Sequence, residues 1–235
     1  MAGSRQLPLP FEPQPSLAAA DFLVADCNRE AVAWLERWPD WPAPSVVVFG
    51  PSGCGKSHLG RMFLARTGGV SVAQAELGHA SPAAALSLLA APGMAPGIVI
   101  DDADRAIEAG HEAPLLHLFN VAREESRALL LTAQTPPARW RIRLADLRSR
   151  LTSCPAVAIG PPDQALIAAI LVKLFADRQL GVDEAVVGYL VNRIERSFAA
   201  ARDIVARIDA ASLSARRRVT VPLAAEALRC TLPEE

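Results

Sequence analysis

"GPSGCGKS", residues 50–57, satisfies G-x-x-x-x-G-K-[ST] at every fixed position, and its flanks give the match its meaning. Before it, "SVVVFG" (45–50) is a β-branched and aromatic run that predicts a buried strand. After it, "KSHLGRMFLART" (56–67) carries helical apolar spacing until Gly68 and Gly69 stop it. Strand, loop and helix in that order form a phosphate-binding unit. Gly50, Pro51, Ser52, Gly53, Cys54 and Gly55 form the loop, in which glycines let backbone N–H groups converge on phosphate oxygens, and the helix start through Ser57 and His58 adds partial positive charge. Lys56 is expected to reach the β- and γ-phosphates, and the Ser57 hydroxyl to ligate Mg²⁺. Cys54 is a loop filler whose backbone matters more than its thiol.

A phosphate loop needs an acid to hold the metal, and "GIVIDDAD" (97–104) supplies two. Asp101 and Asp102 close an apolar run, so both carboxylates are expected at the C-terminal end of a strand, where an α/β sheet presents its ligand crevice. They resemble a Walker B pair, with Asp101 holding Mg²⁺ through water and Asp102 orienting the attacking water. "GVSVAQ" (69–74), "RALLLTAQ" (127–134) and "PAVAIG" (155–160) bring the strands to five. Helical stretches near 81–91 and 112–125 alternate with them. The expected fold is α/β: a five-stranded parallel sheet with helices on both faces, spanning 21–160. From Gly160-Pro161-Pro162 onward only helical periodicity continues, in "QALIAAILVKLFADRQ" (164–179), "DEAVVGYLVNRIERSF" (183–198), "ARDIVARIDAASLSARR" (201–217) and "PLAAEALRC" (222–230). Residues 161–235 are therefore expected to form a small all-helical lid, hinged at the proline pair.

Composition narrows the function classes. At 235 residues and 51% hydrophobic, the chain can bury a sizeable core. A formal net charge of −1 with scattered basic residues argues against a broad nucleic-acid footprint. The four cysteines form no CxxC pair, the histidines lack metal-ligand spacing apart from a loose pair at His111 and His117, and no apolar stretch is long enough to span a bilayer. A reduced, cytoplasmic protein with no metal beyond Mg²⁺ is expected. Trp34, Trp38 and Trp41 precede the first strand, and the i, i+4 spacing of the first two predicts one helical face packed on the sheet.

Taken in order, "DFLVADCNREAVAWL" (21–35), "GPSGCGKSHL", "IDDAD", "LLLTAQTPPARW" (129–140) and "DLRSRL" (146–151) resemble the AAA+ P-loop ATPases related to the replication initiator DnaA. The resemblance runs from residue 21 to about 228. It implies that Phe22 and Val24 line the adenine pocket and that Arg150 is an arginine finger, which reaches a nucleotide held by a neighbouring subunit. "TAQT" (132–135) stands where the initiators have TSDR, so Gln134 occupies the sensor position without a charge and can still hydrogen-bond a phosphate or water. In the lid, "FAAARD" (198–203) puts Ala199 where the family has its second sensor arginine, so that either Arg196 or Arg202, one turn to either side, substitutes for it or the lid has no nucleotide arginine.

The flanks sharpen the resemblance. Full initiators have a further N-terminal domain and a helix-turn-helix DNA-binding domain, and neither has a counterpart among these 235 residues. The ATPase module alone resembles the Hda-type regulators, in which a short peptide of the form QLxLPL/F binds the polymerase sliding clamp. "QLPLPF" (6–11) fits that peptide, within an N-terminal arm spanning residues 1–20. Pro8, Pro10, Pro13 and Pro15 bias this arm to an extended conformation, which lowers the entropy lost on docking. Leu7, Leu9 and Phe11 are its apolar contacts and the Gln6 amide sets direction. The resemblance implies ADP or ATP with Mg²⁺ as ligands, the clamp and the initiator as partners, a possible homo-oligomer, no direct DNA-binding domain and no membrane association. It implies repression of initiation by promoting hydrolysis on the initiator, with a weak intrinsic ATPase; a helicase loader and a nucleotide-locked adaptor without a catalytic role are the alternatives.

Overall fold

A computed structural model describes residues 22–72, 77, 96–215 and 217–229. The peptide at 6–11 and the helix expected near 81–91 lie outside the described residues. Helix α1 (Arg29–Glu36) leads into β1 (Ser45–Phe49), the phosphate loop and α2 (Lys56–Thr67). Then come β2 (Val70–Val72), β3 (Gly97–Ile100), α3 (Ala103–Glu108), α4 (Glu112–Glu124), β4 (Ala128–Ala133), α5 (Ala145–Ser153) and β5 (Ala156–Ala158). The last four helices are α6 (Gln164–Asp177), α7 (Glu184–Val191), α8 (Phe198–Ala215) and α9 (Val221–Arg229).

The five strands form one parallel sheet in the order β2-β3-β4-β1-β5. The three central strands β3, β4 and β1 read as nearly continuous apolar runs because successive side chains point to opposite faces and both faces are covered, whereas the edge strands β2 and β5 expose one face. Val47, Ile98, Ile100, Leu129 and Leu131 face α3, α4 and α5, in a core completed by Leu115, Leu118, Leu147 and Leu151. Val46, Val48, Val99 and Leu130 face the opposite way, onto Ala31, Leu35, Leu59 and Phe63 of α1 and α2. A third cluster, with Leu171, Phe175, Leu190, Val205 and Ile208 at its centre, belongs to α6–α9 alone. Each lid helix thus buries its apolar stripe against the others.

Two local expectations change. The tryptophans do not share a helical face, because α1 ends at Glu36, before Trp38. Trp41 instead stacks on Phe63 of α2 at 5.2 Å and donates from its indole nitrogen to the Trp34 carbonyl at 2.7 Å, while Trp38 meets Phe63 edge-on. The apolar run 183–198 is also not one helix. It breaks after Val191, and α8 starts at Phe198, with the buried Ser197 capping it by accepting from the Ala200 N–H at 3.1 Å.

Candidate functional site

The C-terminal ends of β1, β3 and β4 converge under the lid. Because β4 lies between β1 and β3, its last residues stand between the phosphate loop and the acidic pair, at the sheet edge where α/β folds bind ligands. A cavity of about 360 Å³ opens there, within the range of small-molecule sites. It is lined by Ser52, Gly53, Gly55, Lys56, Ser57 and His58 from the loop, by Asp102, Arg105 and Gln134 from the sheet end, and by Phe198, Ala199 and Arg202 from the lid.

The loop has the backbone its glycines permit. Gly53 and Gly55 sit at φ +72° and +102°, a region that strains other residues. Both also abut the lid: a Cβ on Gly53 would lie 2.9 Å from the Ser197 Cβ, and one on Gly55 would lie 2.9 Å from the Phe198 ring. The Phe198 N–H donates to the Gly53 carbonyl at 3.0 Å. The break in the lid's apolar run is therefore where lid and loop meet. Lys56, 7% exposed, donates to the Gly50 and Pro51 carbonyls at 2.9 Å each, stretching its ammonium along the loop. Burial pushes the Cys54 thiol up, partly offset by the Lys56 charge, which suits a packing role for this side chain.

On the opposite wall, Thr132 organises the acids. Its fully buried hydroxyl donates to the Asp101 carboxylate and accepts from the Asp102 N–H at 3.0 Å. Asp101 is not among the residues lining the cavity, whereas Asp102 is. Asp102 adopts φ +52° at the start of α3, and its side chain makes no capping hydrogen bond. It pairs instead with Arg105 at 3.6 Å. Asp104, the third acid of the motif, is 8% exposed and accepts from the Gln134 N–H at 2.7 Å and the Thr135 N–H at 3.3 Å. It pins the end of β4 to the start of α3.

The other expected site residues divide between the cavity and positions outside it. Phe22 reaches the cavity and meets the His58 ring edge-on at 5.1 Å. Val24 is 56% exposed and not among the lining residues. Arg202 lines the cavity from α8. Arg196 does not, because it precedes the helix in the turn that ends at Ser197, so the two arginines are not on one helical face. Arg150 lies on α5, outside the cavity, with its guanidinium bonded twice to Asp146 at 3.0 Å. The arginine holds the Asp146 carboxyl below its ordinary range. The segment before α5 is held by Glu112 at the start of α4, whose buried carboxylate accepts from the Arg143 N–H at 3.0 Å and the Leu144 N–H at 2.8 Å.

Arg105, Lys173, Asp177 and Phe198 also line the cavity and have no motif of their own. Only the i, i+4 spacing of Lys173 and Asp177, which pair at 2.8 Å, is visible in the sequence.

Residues 163–228 match the family model of the Hda lid domain. The chain is also similar to domain III of the Thermotoga maritima replication initiation protein DnaA, at 15% identity over 92% of this chain and 97% of that one, with a TM-score of 0.77. The chain has the fold of DnaA domain III, with a lid similar to that of Hda. AMPPCP-bound DnaA from Aquifex aeolicus is similar at 17% identity, over 83% of this chain and 65% of that one, with a TM-score of 0.64. A Thermotoga maritima RuvB mutant shares the fold at 14% identity, over 87% and 69% of the two chains, with a TM-score of 0.67. The Hda-type lid is the part that supplies Phe198 and Arg202 to the cavity. Among the described residues, no helix is long and apolar enough to cross a membrane.

Proposed function

We propose that this chain binds an adenine nucleotide between its phosphate loop and its Hda-type lid, and represses replication initiation by promoting ATP hydrolysis on DnaA while residues 6–11 tether it to the sliding clamp. The observation that supports this reading is geometric: the lid meets the glycine loop at Ser197 and Phe198, and Arg150 on α5 lies outside the cavity that loop lines. The residues fit a nucleotide. Lys56 and the loop N–H groups would hold the phosphates, and Phe22, His58 and Phe198 offer aromatic surface to the base. Mg²⁺ would supply charge neutralisation at the phosphates, with Ser57, which lines the cavity, as a direct oxygen ligand and Asp101, behind the lining, acting through water.

Arg150 serves the partner's nucleotide rather than its own. Its pairing with Asp146 is an i, i+4 contact on an exposed helix face, and such pairs contribute little, so the guanidinium can transfer to a phosphate at small cost. Glu112 fixes the entry to α5 and so the direction in which Arg150 is presented. A nucleotide-locked adaptor without hydrolysis of its own is the second reading. It is favoured by the ion pair between Asp102 and Arg105, which engages the carboxylate expected to orient water.

The test is phosphate release from ATP-loaded initiator mixed with clamp-loaded DNA and either the parent chain or Arg150→Ala. Arginine fingers supplied in trans raise rates about 10³- to 10⁵-fold, so the variant should lose nearly all stimulation while keeping nucleotide affinity and melting temperature. Arg148→Ala, on an exposed neighbouring position of the same helix, should keep it. Full stimulation by Arg150→Ala refutes the assigned role.

A further inference from the structure

On the sheet side of the cavity, Arg105 occupies a position that neither the loop motif nor the acidic pair accounts for. It follows Asp102 by one turn of α3, and its guanidinium lies between two groups that line the same cavity. On one side is the Asp102 carboxylate at 3.6 Å. On the other is the Gln134 side chain at the end of β4: with its oxygen turned toward the guanidinium, it accepts from Arg105 Nε at 3.2 Å and Nη2 at 2.8 Å. Backbone bonds support this placement from below. Asp104 accepts from the Arg105 N–H at 3.1 Å and from the Gln134 N–H at 2.7 Å, tying α3 and β4 together at the residues that carry the two side chains.

We infer that Arg105 is a specificity-determining residue that senses the terminal phosphate of the nucleotide, favouring a nucleoside triphosphate over a diphosphate. This rests on the nucleotide-binding reading given above. The chemistry follows from the fork geometry of a guanidinium, which has five donors and binds phosphate oxygens in pairs. Gln134 holds one edge of the fork with a neutral amide, which orients it without neutralising it. Asp102 holds the other edge only loosely, at an ion-pair distance beyond hydrogen-bond range. A phosphate arriving on this wall carries more charge and three oxygens, and it displaces Asp102 from the guanidinium. That displacement frees the Asp102 carboxylate at the same moment. One arginine therefore links recognition of the third phosphate to the availability of the acid.

The side chains of Arg105 and Asp102 are 55% and 38% exposed, so solvent screening sets the effect near the lower end for charge-assisted hydrogen bonds, about tenfold in affinity. The experiment is equilibrium binding of fluorescent ADP and of a non-hydrolysable ATP analogue, each with Mg²⁺, to the full chain and to Arg105→Ala, Arg105→Lys, Gln134→Ala and the Arg105→Ala/Gln134→Ala double variant. For Arg105→Ala, triphosphate affinity should fall about tenfold while ADP affinity stays within about twofold. Lysine should recover only part of the loss, because it keeps the charge without the fork. Gln134→Ala should weaken triphosphate binding in the same direction, and the double variant should lose less than the sum of the two losses. Equal weakening of both nucleotides by Arg105→Ala, or no change in either, overturns the role of Arg105 while leaving nucleotide binding intact. If the parent chain binds neither nucleotide, the nucleotide-binding reading and this inference both fail.

Discussion

Asp104 is the residue whose removal should reveal most about how the site is built. Its carboxylate is nearly buried and accepts from three backbone N–H groups, those of Gln134 at 2.7 Å, Arg105 at 3.1 Å and Thr135 at 3.3 Å. Replacing it with Ala leaves the donors at the end of β4 facing a gap. The short bond from Gln134 is charge-assisted and contributes about 1.5–3 kcal/mol, and the two longer ones together add roughly 1 kcal/mol. The expected destabilisation is about 2.5–4 kcal/mol, which for a chain of this size lowers the melting temperature by roughly 5–15 °C. Asp104→Asn keeps one acceptor oxygen and should lose about half as much. Thermal melting followed by far-UV circular dichroism, with Asp203→Ala on an exposed position of α8 as the control, measures the difference. The nucleotide consequence is separate. With the anchor gone, Gln134 and Arg105 are no longer held in register, so the variant should lose triphosphate affinity more than ADP affinity even well below its melting point. An Asp104→Ala protein that melts within about 1 °C of the parent would show that solvent satisfies these donors and that the carboxylate is not a structural anchor.

Two further outcomes test the phosphate loop and the N-terminal arm. Lys56→Ala should abolish the nucleotide-dependent rise in melting temperature, which in the parent corresponds to about 2.7 kcal/mol when ligand is present at 100 times its dissociation constant; equal shifts in both proteins would refute the loop's role. Changing Leu9 and Phe11 together to Ala should eliminate binding to purified clamp, since losing one pocket anchor commonly costs about 2 kcal/mol or more, roughly thirtyfold in affinity. Unchanged clamp affinity would remove the tether from the mechanism.

Much of this protein is determined by sequence alone, for a local reason. Strand, glycine loop and helix are consecutive around residues 45–67, and unbroken apolar runs at 97–100 and 128–133 require a sheet covered on both faces. The acids closing β3 follow from the same local order, as does the change to purely helical periodicity after residue 163. These features depend on neighbours along the chain, which is what spacing and propensity record. What only the tertiary structure decided are bonds between residues far apart in sequence. Asp104 holding Gln134 and Glu112 holding Leu144 each span about thirty residues, and a carboxylate aimed at a distant N–H reads in sequence like one aimed at water. The division of the 183–198 run belongs here as well. Its apolar spacing is continuous with a helix, but Ser197 caps a new one and the Phe198 N–H bonds to Gly53 of the loop. That contact removes Arg196 from the helical face it would otherwise share with Arg202 and leaves Arg202 alone of the two at the cavity. Arg105 gains its place the same way, since only the insertion of β4 between β1 and β3 brings Gln134 against it.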